Sequence, residues 1–374
     1  MAKTASNEGR KIRYAVVGVG NIAQVAVLPA FAHAGENSEL VALVSGDPEK
    51  LAAVGERYGV AERGGYDEFE DILKRARADA VYIALPNTQH REFTERAAAA
   101  GVHVLCEKPM AMTEEDCEAM IRATKDRGVK LMIAYRLHFE EANLTAIEIA
   151  RSGKLGEVRA FTSFFTQVVR PGDIRTRSEV GGGALFDLGV YCVNAARYLF
   201  REEPIEALAV SLRLDEKRAK DVDETTSAIL RFPSGAIAQF TVSQGISSVS
   251  SFQIAGTEGD LRVEPAFDYT GEITHYLTVG GKTEKKTFKA RDQFAPELVY
   301  FSRCILEDKE PEPSGLEGLA DVRVMRTIQS AAASGRVEAI APFEREQRPD
   351  LGQSMKKPPV DAPEPVNAPS PSEQ

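Results

Sequence analysis

Cysteine is scarce in this 374-residue chain: Cys106, Cys117, Cys192 and Cys304 stand far apart, with no C-x-x-C pair. Their scatter excludes a disulfide framework and a zinc ribbon, and points to a reducing compartment. Long basic runs are also missing, and the net charge is -10. A nucleic-acid partner requires a cationic surface, so none is expected. The short basic groups Lys74, Arg75, Arg77 and Lys282, Lys285, Lys286 read as solvated faces. No apolar run is long enough to span a bilayer, so no membrane contact is expected. The polar stretch from Met1 to Arg13 lacks the continuous apolar core of a secretion signal, which makes the cytoplasm the expected location. His103 lies within an apolar strand with no second ligand at metal spacing, and no metal is expected.

What remains, at 43% hydrophobic and 27% charged residues, is the composition of an ordinary soluble globular protein. Its length favours two domains. In the first third, strand and helix patterns alternate, the mark of a parallel sheet covered on both faces. Strands are expected at 14–17, 40–44, 80–85, 102–105 and 130–134, with helices at 22–34, 48–58, 89–100 and 114–128. Gly101 is the expected cap of the third helix. Beyond about residue 136 the pattern changes. Helices at 140–151, 184–200, 296–307 and 316–333 accompany strands typical of an antiparallel sheet with one buried face. Phe232-Pro233-Ser234-Gly235 signals a hairpin, and Ala236, Ala238, Phe240 and Val242 share one face of the strand that follows. The expected organisation is a flexible N-terminus (1–11), a doubly wound Rossmann α/β domain (12–135), an α+β domain on a large open sheet (136–345) and a disordered, proline-rich tail (346–374).

Gly18-Val19-Gly20-Asn21-Ile22-Ala23 joins the first strand to the first helix. This G-x-G-x-x-A spacing suits a dinucleotide: Gly18 for a tight turn, Gly20 for close approach of a pyrophosphate, Ala23 for close packing of helix on strand. The free N–H groups of Asn21 and Ile22 at the helix start then face the phosphates. The second strand ends in Val44-Ser45-Gly46, without the carboxylate that reads an unphosphorylated ribose. With Lys50 one turn further on, NADP is favoured over NAD. The competing reading makes Ser45 a helix cap and gives the ribose to Asp47.

Glu107-Lys108-Pro109 follows the strand at 102–105, at the carboxyl edge where open α/β sheets bind ligands. Lys108 is either a surface ion-pair partner or a charge aimed at substrate and cofactor. A cis Lys108-Pro109 bond fits there. Asp187 and Tyr191 are four residues apart on one helix face. Tyrosine, with an ordinary pKa of about 10, serves as acid or base only beside a cation such as Lys108. The plainer alternative is a buried tyrosine next to a surface acid.

Together the fingerprint, Glu107-Lys108-Pro109 and the segment Gly181-Gly182-Gly183-Ala184-Leu185-Phe186-Asp187-Leu188-Gly189-Val190-Tyr191 resemble the Gfo/Idh/MocA oxidoreductase family. Val44-Ser45-Gly46, Leu85-Pro86-Asn87, Tyr135-Arg136 and residues 194–199 are most similar to its glucose–fructose oxidoreductase branch, in which tyrosine replaces the histidine of many members. The resemblance implies Lys108 and Tyr191 as catalytic residues and Asp187 as the acid that orients substrate. It implies that Leu85, Pro86, Asn87 and His90 line the nicotinamide end, that Glu107 touches cofactor, and that Arg136 and Arg175 or Arg177 contact cofactor or sugar. It also implies a sugar or polyol substrate, a tightly held NADP, and a homodimer or homotetramer formed through the open sheet. Inositol or dihydrodiol oxidation, and NADP binding without turnover, are the alternatives. The chain departs from that branch in lacking a twin-arginine export segment, and in having Asp173-Ile174 where an aromatic residue precedes arginine.

Overall fold

The computed structural model describes residues 9–215, 219, 221–345 and 347–372. Most of the expected flexible N-terminus, up to residue 8, lies outside the described residues. Six strands, β1 (Ile12–Val17), β2 (Ser38–Val44), β3 (Glu62–Gly64), β4 (Ala80–Ile83), β5 (His103–Glu107) and β6 (Leu131–Ala134), form one sheet in the order 3-2-1-4-5-6. Every pairing is parallel. Tyr14 to Val17 and Ala80 to Ile83 are fully buried, as strands covered on both faces must be. Parallel pairing puts all six carboxyl ends on one rim. The short polar edge strand β3 and the helix Phe69–Ala76 behind it were not anticipated, because three residues, none of them fully buried, carry no apolar signal.

Nine further strands make the second sheet: β7 (Val158–Val168), β8 (Glu206–Leu212), β9 (Thr225–Arg231), β10 (Ile237–Ser243), β11 (Gly245–Gly256), β12 (Gly259–Glu264), β13 (Ile273–Val279), β14 (Lys282–Phe288) and β15 (Glu338–Ala339). Their order is 14-13-12-11-7-10-9-8-15, antiparallel except where β7 meets β10. Ala236, Ala238, Phe240 and Val242 all point inward, as their alternation requires. Helices Val190–Phe200 and Gly315–Ser334 pack on the inner side. On the strands themselves Phe164, Leu208, Val210, Ile229 and Ile237 remain exposed.

Two features depart from the linear division expected. Helix Ala295–Leu306 returns to the first sheet, where Phe294, Leu298, Val299 and Phe301 share a core with Tyr14, Val16 and Leu43. Ser302 Oγ lies 2.9 Å from the Tyr14 hydroxyl and 2.8 Å from Ser38 Oγ. Tyr14 and its neighbours need an apolar cover, and this late helix supplies it. The tail expected to be disordered instead lies along the molecule: Met355 and Val366 pack against that same core. Seven prolines between positions 349 and 371 restrict the backbone on either side of a 3-10 turn at Leu351–Gln353 and a left-handed Asn367, so ordering it costs less conformational entropy than polar composition suggests.

Candidate active site

Two arms meet over the carboxyl rim of the first sheet. One is the segment after β5, where Lys108 Nζ donates to the Asp187 carbonyl oxygen at 3.1 Å and lies 4.6 Å from the centroid of the Tyr191 ring. The other is the helical stretch that follows the triple glycine. There a wide π turn over Leu185–Gly189 carries Asp187, and helix Val190–Phe200 begins just before Tyr191. The arms join because Gly181 has no side chain. A Cβ on it would stand 2.9 Å from Asn87 Cβ and 2.6 Å from Met112 Sδ. Asn87 Nδ2 instead donates to the Gly181 carbonyl at 2.8 Å, tying the loop Leu85-Pro86-Asn87 to the second arm.

Asp187 is held from three sides. Its Oδ2 accepts from Gln244 Nε2 at 3.1 Å and Gln167 Nε2 at 3.4 Å, and pairs with Arg175 Nε at 3.4 Å. Arg175 is also braced by Asp173, 3.2 Å away. Arg177 pairs with Glu179 at the surface, so of the two arginines only Arg175 reaches the site. The phenol ring of Tyr191 packs against both Phe165 and Phe267, with centroids at 5.4 and 6.0 Å, and those two rings touch each other at 5.1 Å.

Arg136 and His90 are held by partners within the protein. Arg136 is buried, its guanidinium donating to Gln293 Oε1 and the Phe267 carbonyl, and stacks 5.0 Å from the Tyr191 ring centroid. His90 is fully buried, with Nε2 2.9 Å from the Leu85 carbonyl and Nδ1 3.0 Å from that of Pro109. His90 thus sits between the two loops; burial holds its pKa below the ordinary histidine value, and the neutral ring that this favours donates its single N–H to one of these carbonyls. Glu107 accepts from the Tyr82 hydroxyl at 2.7 Å, and loss of solvent pushes its carboxyl up despite the adjoining Lys108 charge. Behind it, Glu297 is completely buried with neither carboxylate oxygen hydrogen-bonded among the described residues. Burial, reinforced by the nearby Glu107 carboxylate, pushes that carboxyl well above the usual range. Gln167 in β7, Gln244 and Gln293 in bends, and Glu297 in helix Ala295–Leu306 gave no signal in sequence, since lone polar residues have no spacing rule.

The rim also fits a dinucleotide. Gly18 has φ +90°, and a Cβ there would stand 2.4 Å from the Ala84 carbonyl oxygen, so glycine lets β1 turn tightly against the end of β4. Gly20 faces open space, with nothing within 4 Å of a Cβ built on it. That is the cradle a pyrophosphate needs. Asp47, rather than Ser45, caps helix Pro48–Tyr58: its Oδ1 accepts from the N–H groups of Glu49 and Lys50. Ser45 is buried, its Oγ accepting from the Asp47 N–H at 3.3 Å, while Gly46 is exposed beside the Tyr66 ring. Lys50 Nζ lies 3.9 Å from Asp47 Oδ2. Ile22 packs at the edge of the core and Asn21 turns its amide toward the tail.

A Rossmann sheet with a glycine cradle, opposed by a lysine and a tyrosine from two lobes, defines a nicotinamide-nucleotide-dependent oxidoreductase. Residues 12–135 match the oxidoreductase family with the NAD-binding Rossmann fold, and residues 143–262 match the GFO/IDH/MocA C-terminal domain. The chain belongs to the Gfo/Idh/MocA family of NAD(P)-dependent oxidoreductases. It is 34% identical over 328 residues to a D-xylose 1-dehydrogenase [NADP(+)] of Haloarcula marismortui, covering 86% of this chain and 91% of that one. Among solved structures, aldose-aldose oxidoreductase from Caulobacter crescentus, complexed with glycerol, superposes with a TM-score of 0.84 at 40% identity, covering 88% of this chain and all of that one. A 3-ketoreductase from Actinomadura kijaniata, in complex with NADP and TDP-benzene, gives 0.78 at 30% identity over 86% of this chain and 98% of its own. No helix among the described residues is long and apolar enough to cross a membrane.

Proposed function

We propose that the protein is an NADP-dependent oxidoreductase that moves hydride between the nicotinamide and a sugar carbon bearing a hydroxyl or carbonyl group. The observation that carries this reading is the 4.6 Å approach of Lys108 Nζ to the Tyr191 ring at the rim that fits a dinucleotide. The sugar assignment draws on the relatives named as xylose dehydrogenase and aldose-aldose oxidoreductase. When bound, NADP accepts or returns the hydride.

Tyr191 takes the substrate hydroxyl proton in oxidation and returns it to the carbonyl in reduction. Lys108 and Arg136 both approach the phenol ring and offset negative charge that develops on its oxygen as the proton leaves. Asp187, steadied by Gln167, Gln244 and Arg175, is an acceptor for a neighbouring sugar hydroxyl. Arg175 offers donors beside it. Glu107 and Leu85-Pro86-Asn87 lie where the nicotinamide end of a dinucleotide would run. Gly18, Gly20, Asn21 and Ile22 would receive the pyrophosphate, and Ser45, Gly46 and Lys50 the phosphorylated ribose.

The exposed apolar side chains on the second sheet, among them Phe164, Val210 and Ile237, support a homodimer or homotetramer formed through that face. A panel of aldoses and ketoses, followed at the reduced-nicotinamide absorbance with and without added NADP, tests the assignment. Turnover of several sugars with NADP is expected; none with any sugar overturns the reading.

A further inference from the structure

Asn21, the residue immediately after the cradle's open Gly20, spends its side chain on the far end of the chain: Nδ2 donates to the Ala368 carbonyl at 2.9 Å. We infer that residues 364–372 form an outer wall of the cofactor site, a strap that holds the nucleotide in the cleft between the two lobes. The inference rests on the NADP reading above.

The strap is anchored at both loops that bracket the adenosine half of a Rossmann site. At the first loop, Val366 N–H donates to Gln24 Oε1 at 2.7 Å, and Gln24 Nε2 donates back to the Val366 carbonyl at 2.9 Å. Gln24 is fully buried, so the tail satisfies a side-chain amide that would otherwise lose both these partners. At the second loop, Asn367 Nδ2 reaches Glu49 Oε2 at 2.9 Å and Asp47 Oδ2 at 3.4 Å. Arg57 Nη1 donates to the Glu364 carbonyl at 3.1 Å, fixing the entry to this span.

The other end crosses to the second lobe. Arg170 N–H donates to the Pro371 carbonyl at 2.9 Å, and Ser372 forms an antiparallel bridge with Val169. Those residues directly follow β7, whose Gln167 holds Asp187. One segment, bent at Asn367 (φ +47°), therefore runs from the adenosine edge to the substrate edge. Pro365, Pro369 and Pro371 stiffen it, so little chain entropy is lost on closing. A nucleotide lying under that span leaves only after the strap lifts.

The test is the NADPH release rate of the full chain, read as loss of nicotinamide fluorescence when excess NADP displaces it. In the double variant Val366→Asp/Asn367→Ala, release is expected to quicken at least tenfold. In Val169→Cys/Ser372→Cys, oxidation joins strap to lobe and release is expected to slow, with reductant restoring the original rate; a misfolded protein does not give that reversal. Unchanged rates in both variants overturn the strap while leaving the cofactor reading intact. Slower release or tighter binding in the first variant also overturns it, because the tail would then be competing for the nucleotide's place. If wild type binds neither NADPH nor NADH, the cofactor reading itself fails.

Discussion

The guanidinium carbon of Arg136 and the ring of Tyr191 are stacked 5.0 Å apart, and Lys108 approaches the same ring at 4.6 Å. One phenol thus sits under two cations delivered by consecutive parallel strands, β5 and β6. Replacing Arg136 by Met removes one of them and leaves the Gln293 and Phe267 oxygens without a donor. The expected result is lower kcat together with a loss of about 1–3 kcal/mol of stability per orphaned buried group. Steady-state kinetics and denaturant unfolding read the two effects separately; wild-type kcat in Arg136→Met removes the second cation from the mechanism.

Tyr191→Phe keeps the ring and its stacking but cannot exchange a proton. General acid–base assistance is typically worth about 10²–10⁴ in rate, so kcat should drop by that order while NADP affinity stays the same. Unaltered turnover would falsify the acid–base assignment.

Lys108→Met should be at least as damaging. The ammonium both faces Tyr191 and holds the Asp187 carbonyl, so its loss disturbs charge and geometry together. A rise in KM alone, with kcat preserved, is the outcome that contradicts this.

Ser45→Asp places a carboxylate at the end of β2, where it repels a 2′-phosphate and accepts from a free ribose diol. The ratio of kcat/KM for NADP to that for NAD should fall. An unchanged ratio moves cofactor discrimination elsewhere on the rim.

His275 is 1% exposed, and burial, aided by the Lys286 charge, lowers its pKa to about 4. Because the folded value lies below the ordinary 6.5, the unfolded chain binds the proton more readily between those two values. Its contribution is present in full above pH of about 6.5 and is lost as pH falls toward 4, by at most about 3 kcal/mol. Thermal melts from pH 7 to 4 should fall less steeply in His275→Leu than in wild type; parallel curves refute the point.

The nucleotide lobe was legible because its central strands are buried on both faces and its first turn carries glycine. β1, β2, β4 and β6 read as short apolar runs, and Gly18 stands where no Cβ fits. Lys108, Asp187 and Tyr191 were found by motif, and the folded chain brings all three together. Arg136 and His90 were visible as residues but not in the direction they point, since orientation depends on Gln293, Phe267, Leu85 and Pro109, distant partners that local spacing does not encode. The tail misled for a different reason. Composition measures how little apolar surface a segment can bury, whereas prolines and a buried amide, Gln24, decide whether a bare backbone can still be held.

Helix Ala295–Leu306 has a consequence for biogenesis. Tyr14, Val16 and Leu43 emerge from the ribosome more than 250 residues ahead of Leu298, Val299 and Phe301, the side chains that cover them. The first lobe is therefore born with one greasy flank bare, and translation must pass residue 306 before it can be sealed. Nascent chains arrested short of that point should stick to chaperones, and those arrested beyond it should be released.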